Sequence, residues 1–147
     1  MSDPVTGHLE KLVKMHSRAN ITALYGSELR VAPGEAEVSI EVTDKFFHSA
    51  GTAHASFYFK ALDDAAWFAA ATLEEELFVL TVTLTTYVTR PISSGRLRAV
   101  GKVVNRNNTQ FIVESVAYDE AGREVARASG IIVKSKIPLA TLAHYSE

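Results

Sequence analysis

The sequence contains no cysteine. That excludes disulfides, thiolate-bound zinc and a thiolate nucleophile, and it suits a reducing compartment. An excess of one charge is also missing: 15 basic against 17 acidic residues give a formal net charge of -2. Nothing global therefore attracts nucleic acid or an anionic membrane, neither of which is expected as a partner, and a charged ligand must be met by a local patch. Long apolar runs are lacking too. The longest uncharged part of the central helical stretch, residues 65–73, is far too short to span a bilayer. The opening residues, MSDPVTGHLEKL, form neither a basic n-region nor an apolar h-region, so no signal peptide and a cytoplasmic location are expected. A Gly-rich phosphate loop, an H-E-x-x-H helix and a G-x-S-x-G elbow are absent. No metal or other cofactor is expected, although His48, His54 and Asp63 could in principle be ligands. A serine triad built on Ser49 or Ser56 is discounted in the same way.

What remains is a globular composition, 47% hydrophobic and 22% charged, in 147 residues. A chain of that size holds one apolar core without staples. One domain over residues 1–147 is expected, with 1–26 as an N-terminal helical flank. After Ser2-Asp3-Pro4, residues Val5, Leu9, Leu12, Val13 and His16 recur at helical spacing, which predicts a short amphipathic helix over 4–17 that packs as a lid or flank. From residue 28 the period changes to two. Ala36, Val38, Ile40 and Val42 point one way and Glu35, Glu37, Ser39 and Glu41 the other, and Pro33-Gly34 separates this strand from a shorter one at 28–31. A long helix is predicted within 51–73. Strands follow at 77–88, 96–105, 110–118 and 124–134, and the short connections RPISSG, NRNNT and DEAGR predict an antiparallel meander. The fold class is therefore α+β, with one long central helix covered by a single antiparallel sheet and a short N-terminal helix.

The central helix poses a chemical question. Between Lys60 and Glu74 it is uncharged except for Asp63 and Asp64, and its other positions are apolar around the circumference. Such a helix is buried, and an unpaired buried carboxylate is costly. Neighbouring residues lie about 100 degrees apart on a helix, so one aspartate is expected to reach a rim and the other to face a cleft. Two readings stand side by side. Both acids could lie on a wet stripe, with Asp64 paired to Lys60 four residues away. Alternatively, one could line a pocket as a general base or nucleophile. Upstream, FFHSAGTAH places His48 in a loop and His54 near the helix N-terminus, where free backbone N–H groups favour a developing negative charge. His54 could equally be a packed, capping histidine. Arg96, Arg98, Lys102 and Arg106 share one face of a regular strand, with Arg90 just before it. They could hold phosphates or form the wet outer face of the sheet.

Four stretches in order then carry a resemblance: GEAEVSIEV (34–42), FFHSAGTAHASFYFKALDD (46–64), TVTLTTYVTRPISSGRLRAVGKVV (81–104) and YDEAGREVARASGIIV (118–133). With G-T-x-H, an acid nine residues after its histidine, and R-P followed by G-R-L, the chain resembles hotdog-fold acyl-CoA thioesterases of the PaaI-like and 4-hydroxybenzoyl-CoA thioesterase type. The resemblance implies a sheet wrapped around the central helix and a homodimer as the minimal unit with two sites at its interface, commonly assembled into a homotetramer. It implies that Asp63 attacks an acyl-CoA thioester or activates the attacking water. It assigns the backbone N–H of Ala55, after His54, to polarising the carbonyl. His48 stands where many members have Asn, and Thr81 where some have a water-orienting hydroxyl. Arg90 and the turn containing Asn105, Arg106 and Asn107 resemble regions that meet the CoA nucleotide and pantetheine. The usual H-G-G reads His54-Ala55-Ser56 here. The implied activity is hydrolysis to free acid and CoA. The alternatives are a hotdog hydratase or dehydratase pairing His48 with Asp63, and a non-catalytic domain that binds acyl-CoA.

Overall fold

The computed structural model describes residues 3–147, so Met1 and Ser2 of the expected flank lie outside the described residues. Helix α1 (Pro4–Arg18) begins where the Asp3 carboxylate accepts from the Thr6 N–H at 2.9 Å and proline occupies the first turn. Its buried face is the expected one in part. Leu12 and His16 point inward as expected and Leu9 is half-buried, but Val5 and Val13 are exposed, and His8 and Met15 are buried instead. The rotation follows from His8, which has partners at both ring nitrogens: Nε2 donates to the Ala71 carbonyl at 2.7 Å, leaving Nδ1 to accept from the Tyr145 hydroxyl at 2.7 Å. A satisfied histidine can occupy a position that simple hydropathy would give to valine. A six-residue helix, α2 (Asn20–Tyr25), follows; the 3.6-residue pattern of the sequence does not announce it.

Strands β1 (Glu28–Ala32) and β2 (Glu35–Glu41) form the expected hairpin, and Ala36, Val38 and Ile40 are buried on its inner face. The central helix, α3, runs Ala55–Ala71. It is followed by β3 (Leu77–Val88), β4 (Arg96–Arg106), β5 (Gln110–Tyr118) and β6 (Glu124–Pro138), then by a short tail ending in α4 (Ala143–Ser146). The six strands form one antiparallel sheet in the order β1-β2-β4-β5-β6-β3. The expected four-strand meander is corrected at its start: β4, β5 and β6 are neighbours, but β3 pairs with β6 and β4 with β2. The connection at 89–95 does not turn back on itself because its backbone is committed elsewhere. Thr89 and Arg90 donate N–H bonds to the Val125 carbonyl, Ala53 donates to Ile92, and Val42 donates to Gly95. It crosses the sheet and leaves β3 on a free edge.

The alanines of α3 allow the helix to lie close to the sheet. Ala61, Ala65, Ala66 and Ala69 are fully buried. At the crossing, a Cβ on Gly101 of β4 would lie 2.2 Å from the Ala65 carbonyl, so only glycine fits there. A second close approach shapes β3. Its pairing with β6 shifts between Thr81 and Thr83, and a Cβ on Gly130 of β6 would lie 1.9 Å from the Thr83 oxygen. A bulge of this kind re-aims the side chains around it. Among the described residues, no helix is long and apolar enough to cross a membrane.

Candidate active site

Asp63 sits in the third turn of α3 facing β3, and its Oδ1 accepts from the Thr81 hydroxyl at 2.8 Å. Thr81 is the residue at the bulge. Asp64 pairs with Lys60 one turn earlier, both side chains being largely covered, at 15% and 12% exposure. The expected division into a rim and a cleft is corrected: both carboxyl groups line one cavity of about 660 Å³. It lies between the exposed edge of α3 and a wall made of α1, α2 and the C-terminal tail. The cavity is wide enough to span the 100-degree separation of two consecutive helical residues. Asp64 takes the ion pair with Lys60 that the spacing allowed, and Asp63 lies outside that pair on the cavity wall.

The electrostatics follow from that burial. Loss of water pushes the Asp63 carboxyl above the ordinary carboxylate range; the Asp64 charge adds to this, and the Thr81 hydroxyl and Lys60 oppose it. Burial raises Asp64 as well, against the pull of Lys60. His16, on the opposite wall, is lowered to about 4 by burial and by the Lys60 charge, so it is neutral near pH 7. Trp67 is held by an Nε1–H bond to the Val79 carbonyl at 2.8 Å and by ring contacts with Phe68 and Phe78. It forms a fixed aromatic wall. Of the other aromatics of this helix, Phe57 and Tyr58 belong to the core, while Phe59 is exposed.

The remaining candidates gather elsewhere. His54 is the N-cap of α3: its Nδ1 accepts from the Ser56 N–H at 3.0 Å and lies 2.9 Å from the Ser56 hydroxyl. The serine that replaces a glycine of the usual H-G-G element therefore takes part in the cap. The Ala55 N–H has no acceptor among the described residues, and Ala55 lines a smaller cavity together with His48 and Arg90. His48 is tethered. Its Nδ1 accepts from the Ala50 N–H at 3.1 Å, which places the proton of the neutral ring on Nε2, 3.0 Å from the Thr52 hydroxyl. Ala55 and Asp63 are eight residues apart on one helix, about 12 Å along its axis.

Arg90 and the β4–β5 turn are not brought together within one chain. Arg90 bonds at the Val125 end of the sheet, whereas Asn105 lies six residues beyond Ala99 on β4, roughly 20 Å further along. In the turn, the Asn107 side chain accepts from the Thr109 and Gln110 N–H groups, and Asn105 accepts from the Arg106 N–H. The basic face of β4 is paired with β1 and β2: Arg98 with Glu37 at 2.8 Å, Lys102 with Glu35 at 3.5 Å, and Arg96 with Glu28 at 3.6 Å. It forms the wet outer face of the sheet, and a register shift between Val103 and Asn105 separates Arg106 from the stripe. Among the described residues, no three His, Asp or Glu side chains converge as a metal site.

A helix wrapped by this sheet, with a partly buried carboxyl on the helix and a free amide at its N-terminus, defines a hotdog protein of the thioesterase kind. The family model described as the thioesterase superfamily matches residues 50–126, just over half of the chain, and the chain belongs to that superfamily. Among solved structures, it is similar to the Escherichia coli PaaI protein of the phenylacetic acid degradation operon, with a TM-score of 0.83 at 16% identity over 92% of this chain and 99% of that one. A thioesterase family protein from Silicibacter pomeroyi matches with a TM-score of 0.76 at 25% identity, covering 84% of this chain and 96% of that one. A protein from Thermus thermophilus matches with a TM-score of 0.74 at 25% identity, covering 80% of this chain and 99% of that one. No curated protein matches the chain. The fold is the PaaI-like hotdog anticipated from the four sequence stretches.

The sequence points to Asp63 and Thr81 but not to the bond between them or to the cavity. That cavity draws on His16 and Leu142, which lie outside the pattern that carries the resemblance. The available signal is Gly130 inside a strand pattern, which marks a bulge or a close backbone approach.

Proposed function

We propose that this protein hydrolyses acyl-CoA thioesters to a free acid and CoA, with residues 1–147 acting as one hotdog domain. The observation that carries the reading is Asp63, a carboxyl on the wall of a cavity of about 660 Å³, held by Thr81 and raised by burial. A carboxylate with a raised pKa is a stronger base than an ordinary one. As a base it takes a proton from water, the hydroxide adds to the thioester carbonyl, and the C–S bond breaks as the proton passes to the departing CoA thiolate. As a nucleophile it adds to the carbonyl and expels the CoA thiolate, leaving a mixed anhydride that water then opens to the free acid and the Asp63 carboxylate, with a proton from that water passing to the thiolate. In either course the Ala55 N–H, at the positive end of α3, receives the oxyanion.

With about 12 Å of helix between them, the Ala55 amide and Asp63 of one chain cannot both reach one carbonyl. The site is completed by a second copy, and β3 supplies the surface for it. This edge strand presents Leu80, Val82, Tyr87 and Val88 to solvent. A homodimer is thus the minimal unit, with assembly into a homotetramer and a cytoplasmic location following the family resemblance. Across two chains, Arg90 and the Asn105, Arg106 and Asn107 turn are assigned to the CoA moiety. His48 and the Thr52 hydroxyl that it holds line the carbonyl end of the site, where that hydroxyl orients water, and His54 caps the helix that carries the Ala55 amide. The bound state of His48 weakens the hydratase alternative, because its Nδ1 is already an acceptor and its Nε2 already carries the proton.

Thiol release from short, medium, long and aryl acyl-CoAs, comparing wild type with Asp63→Asn, tests the reading. Turnover in the wild type that falls about 100-fold or more in a folded variant supports it. Equal rates in the two proteins, or no release from any thioester, sink it.

A further inference from the structure

The family match ends at residue 126 and begins at residue 50, yet the cavity beside Asp63 is walled largely by residues outside that span. Met15 and His16 of α1, Ile21 of α2, and Leu142 and Ala143 of the tail face Lys60, Asp63, Asp64 and Trp67 of α3 across it. Those terminal segments are tied down as one wall. The Tyr145 hydroxyl donates to His8, the Arg18 guanidinium donates to the His144 carbonyl at 3.2 Å, and the Leu139 N–H donates to the Glu76 carbonyl at 2.8 Å. The wall is a built feature, anchored on both the helix and the sheet.

The charges in the cavity are arranged unevenly. Two carboxyl groups face one lysine, and that lysine is already committed to Asp64 and lies 5.5 Å over the Tyr25 ring. His16 touches Ser27 at 3.0 Å and packs edge-on against Phe68. His144 is exposed at the margin. Among the described residues that line the cavity, no buried cation is free to receive a carboxylate.

Building on the thioesterase reading, we propose that this cavity holds the acyl group, that the two terminal segments set which acyl groups fit, and that the Lys60–Asp64 pair restricts it to uncharged ones. An acyl chain entering beside Asp63 has apolar walls to cover it. One ending in a carboxylate would meet Asp63 and Asp64 with Lys60 already neutralised, which is discrimination by repulsion. Asp64 is then a specificity-determining residue. It controls a charge rather than attacking the substrate.

The test compares kcat/KM for acetyl-, hexanoyl- and adipoyl-CoA, the last being a six-carbon acyl group with a terminal carboxylate. The proteins are wild type, Ile21→Trp, Ala143→Trp and Asp64→Asn. Both tryptophan sites are exposed at the cavity margin, one in each terminal segment, so a folding defect in one variant leaves the other to decide. Wild type is expected to prefer hexanoyl over both other thioesters by about tenfold or more, and each tryptophan to cut the hexanoyl-to-acetyl ratio by about tenfold. Asp64→Asn frees Lys60 and is expected to raise the adipoyl-to-hexanoyl ratio by about tenfold. If acetyl- and hexanoyl-CoA are hydrolysed but the tryptophan variants keep the wild-type ratio, the acyl group lies elsewhere and the thioesterase reading stands. An adipoyl ratio unmoved by Asp64→Asn overturns the charge filter. No hydrolysis of any thioester overturns this inference together with the reading beneath it.

Discussion

The Thr81 hydroxyl donates to the Asp63 carboxylate at 2.8 Å, joining the edge strand of the sheet to the third turn of the central helix. The bond favours the ionised acid, whereas burial favours the protonated one. The acid's strength is therefore set jointly by two elements far apart in sequence.

A pH profile should register that balance. If ionised Asp63 is the base, kcat/KM falls as pH drops through its raised pKa, so the acid limb should lie above the ordinary aspartate value of about 4. Thr81→Val removes the hydrogen bond that opposes burial, and the limb should move to still higher pH. Steady-state rates across the acid range check both expectations, and a limb that stays in place in Thr81→Val would separate Thr81 from the acid.

Stability should respond in the opposite sense to activity. The folded protein holds the Asp63 proton more tightly than the unfolded chain, so this group favours the fold below the unfolded pKa, and that contribution is lost as pH rises through the folded pKa. Asp63→Asn cannot ionise and its oxygen can still accept from Thr81. It should melt above wild type near neutral pH, with the difference shrinking toward about pH 4. Thermal melts at several pH values measure this directly.

Gly130→Ala places a methyl group 1.9 Å from the Thr83 oxygen and pushes the bulge off β6. A loss of about 1–3 kcal/mol in denaturant unfolding is expected from overpacking. Because Thr81 borders the bulge, thioester turnover should fall further than stability alone explains, with the deficit in kcat rather than KM.

Tyr145→Phe removes the donor to His8 and leaves Nδ1 of a buried histidine without its partner. About 1–3 kcal/mol should be lost in equilibrium unfolding. The ratio of hexanoyl to acetyl turnover should change with it, since the tail carries part of the cavity wall.

Most of the fold is legible in the sequence because its signals are local. Alternation in 36–42, the Pro33-Gly34 turn and the alanine-rich run around Asp63 each bear on their own neighbourhood. The failures are non-local. Nothing within RPISSG says that its backbone groups will bond to Val125, Ala53 and Val42 rather than close a hairpin, so local signals give β3 the wrong neighbour. His8 defeats the hydropathy pattern of α1 because its two partners lie 63 and 137 residues away. In the site, the residues alone leave Asp63 and Asp64 open and the resemblance points to Asp63, while the i to i+4 rule supplies the Lys60–Asp64 pair. The shared cavity cannot be read this way, because its far wall comes from both ends of the chain.

The crossing of Gly101 against Ala65 has a mechanical meaning. The tightest contact between the central helix and the sheet lies one residue from Asp64 and two from Asp63, so backbone against backbone sets the height of the carboxyl groups above the sheet. The Ala55 end has a separate support: the His54 N–H donates to the Phe46 carbonyl, the Ala53 N–H to the Ile92 carbonyl, and the Tyr58 hydroxyl to the Arg90 carbonyl. One helix is thus pinned twice, once beneath its carboxyl groups and once beside its first free amide.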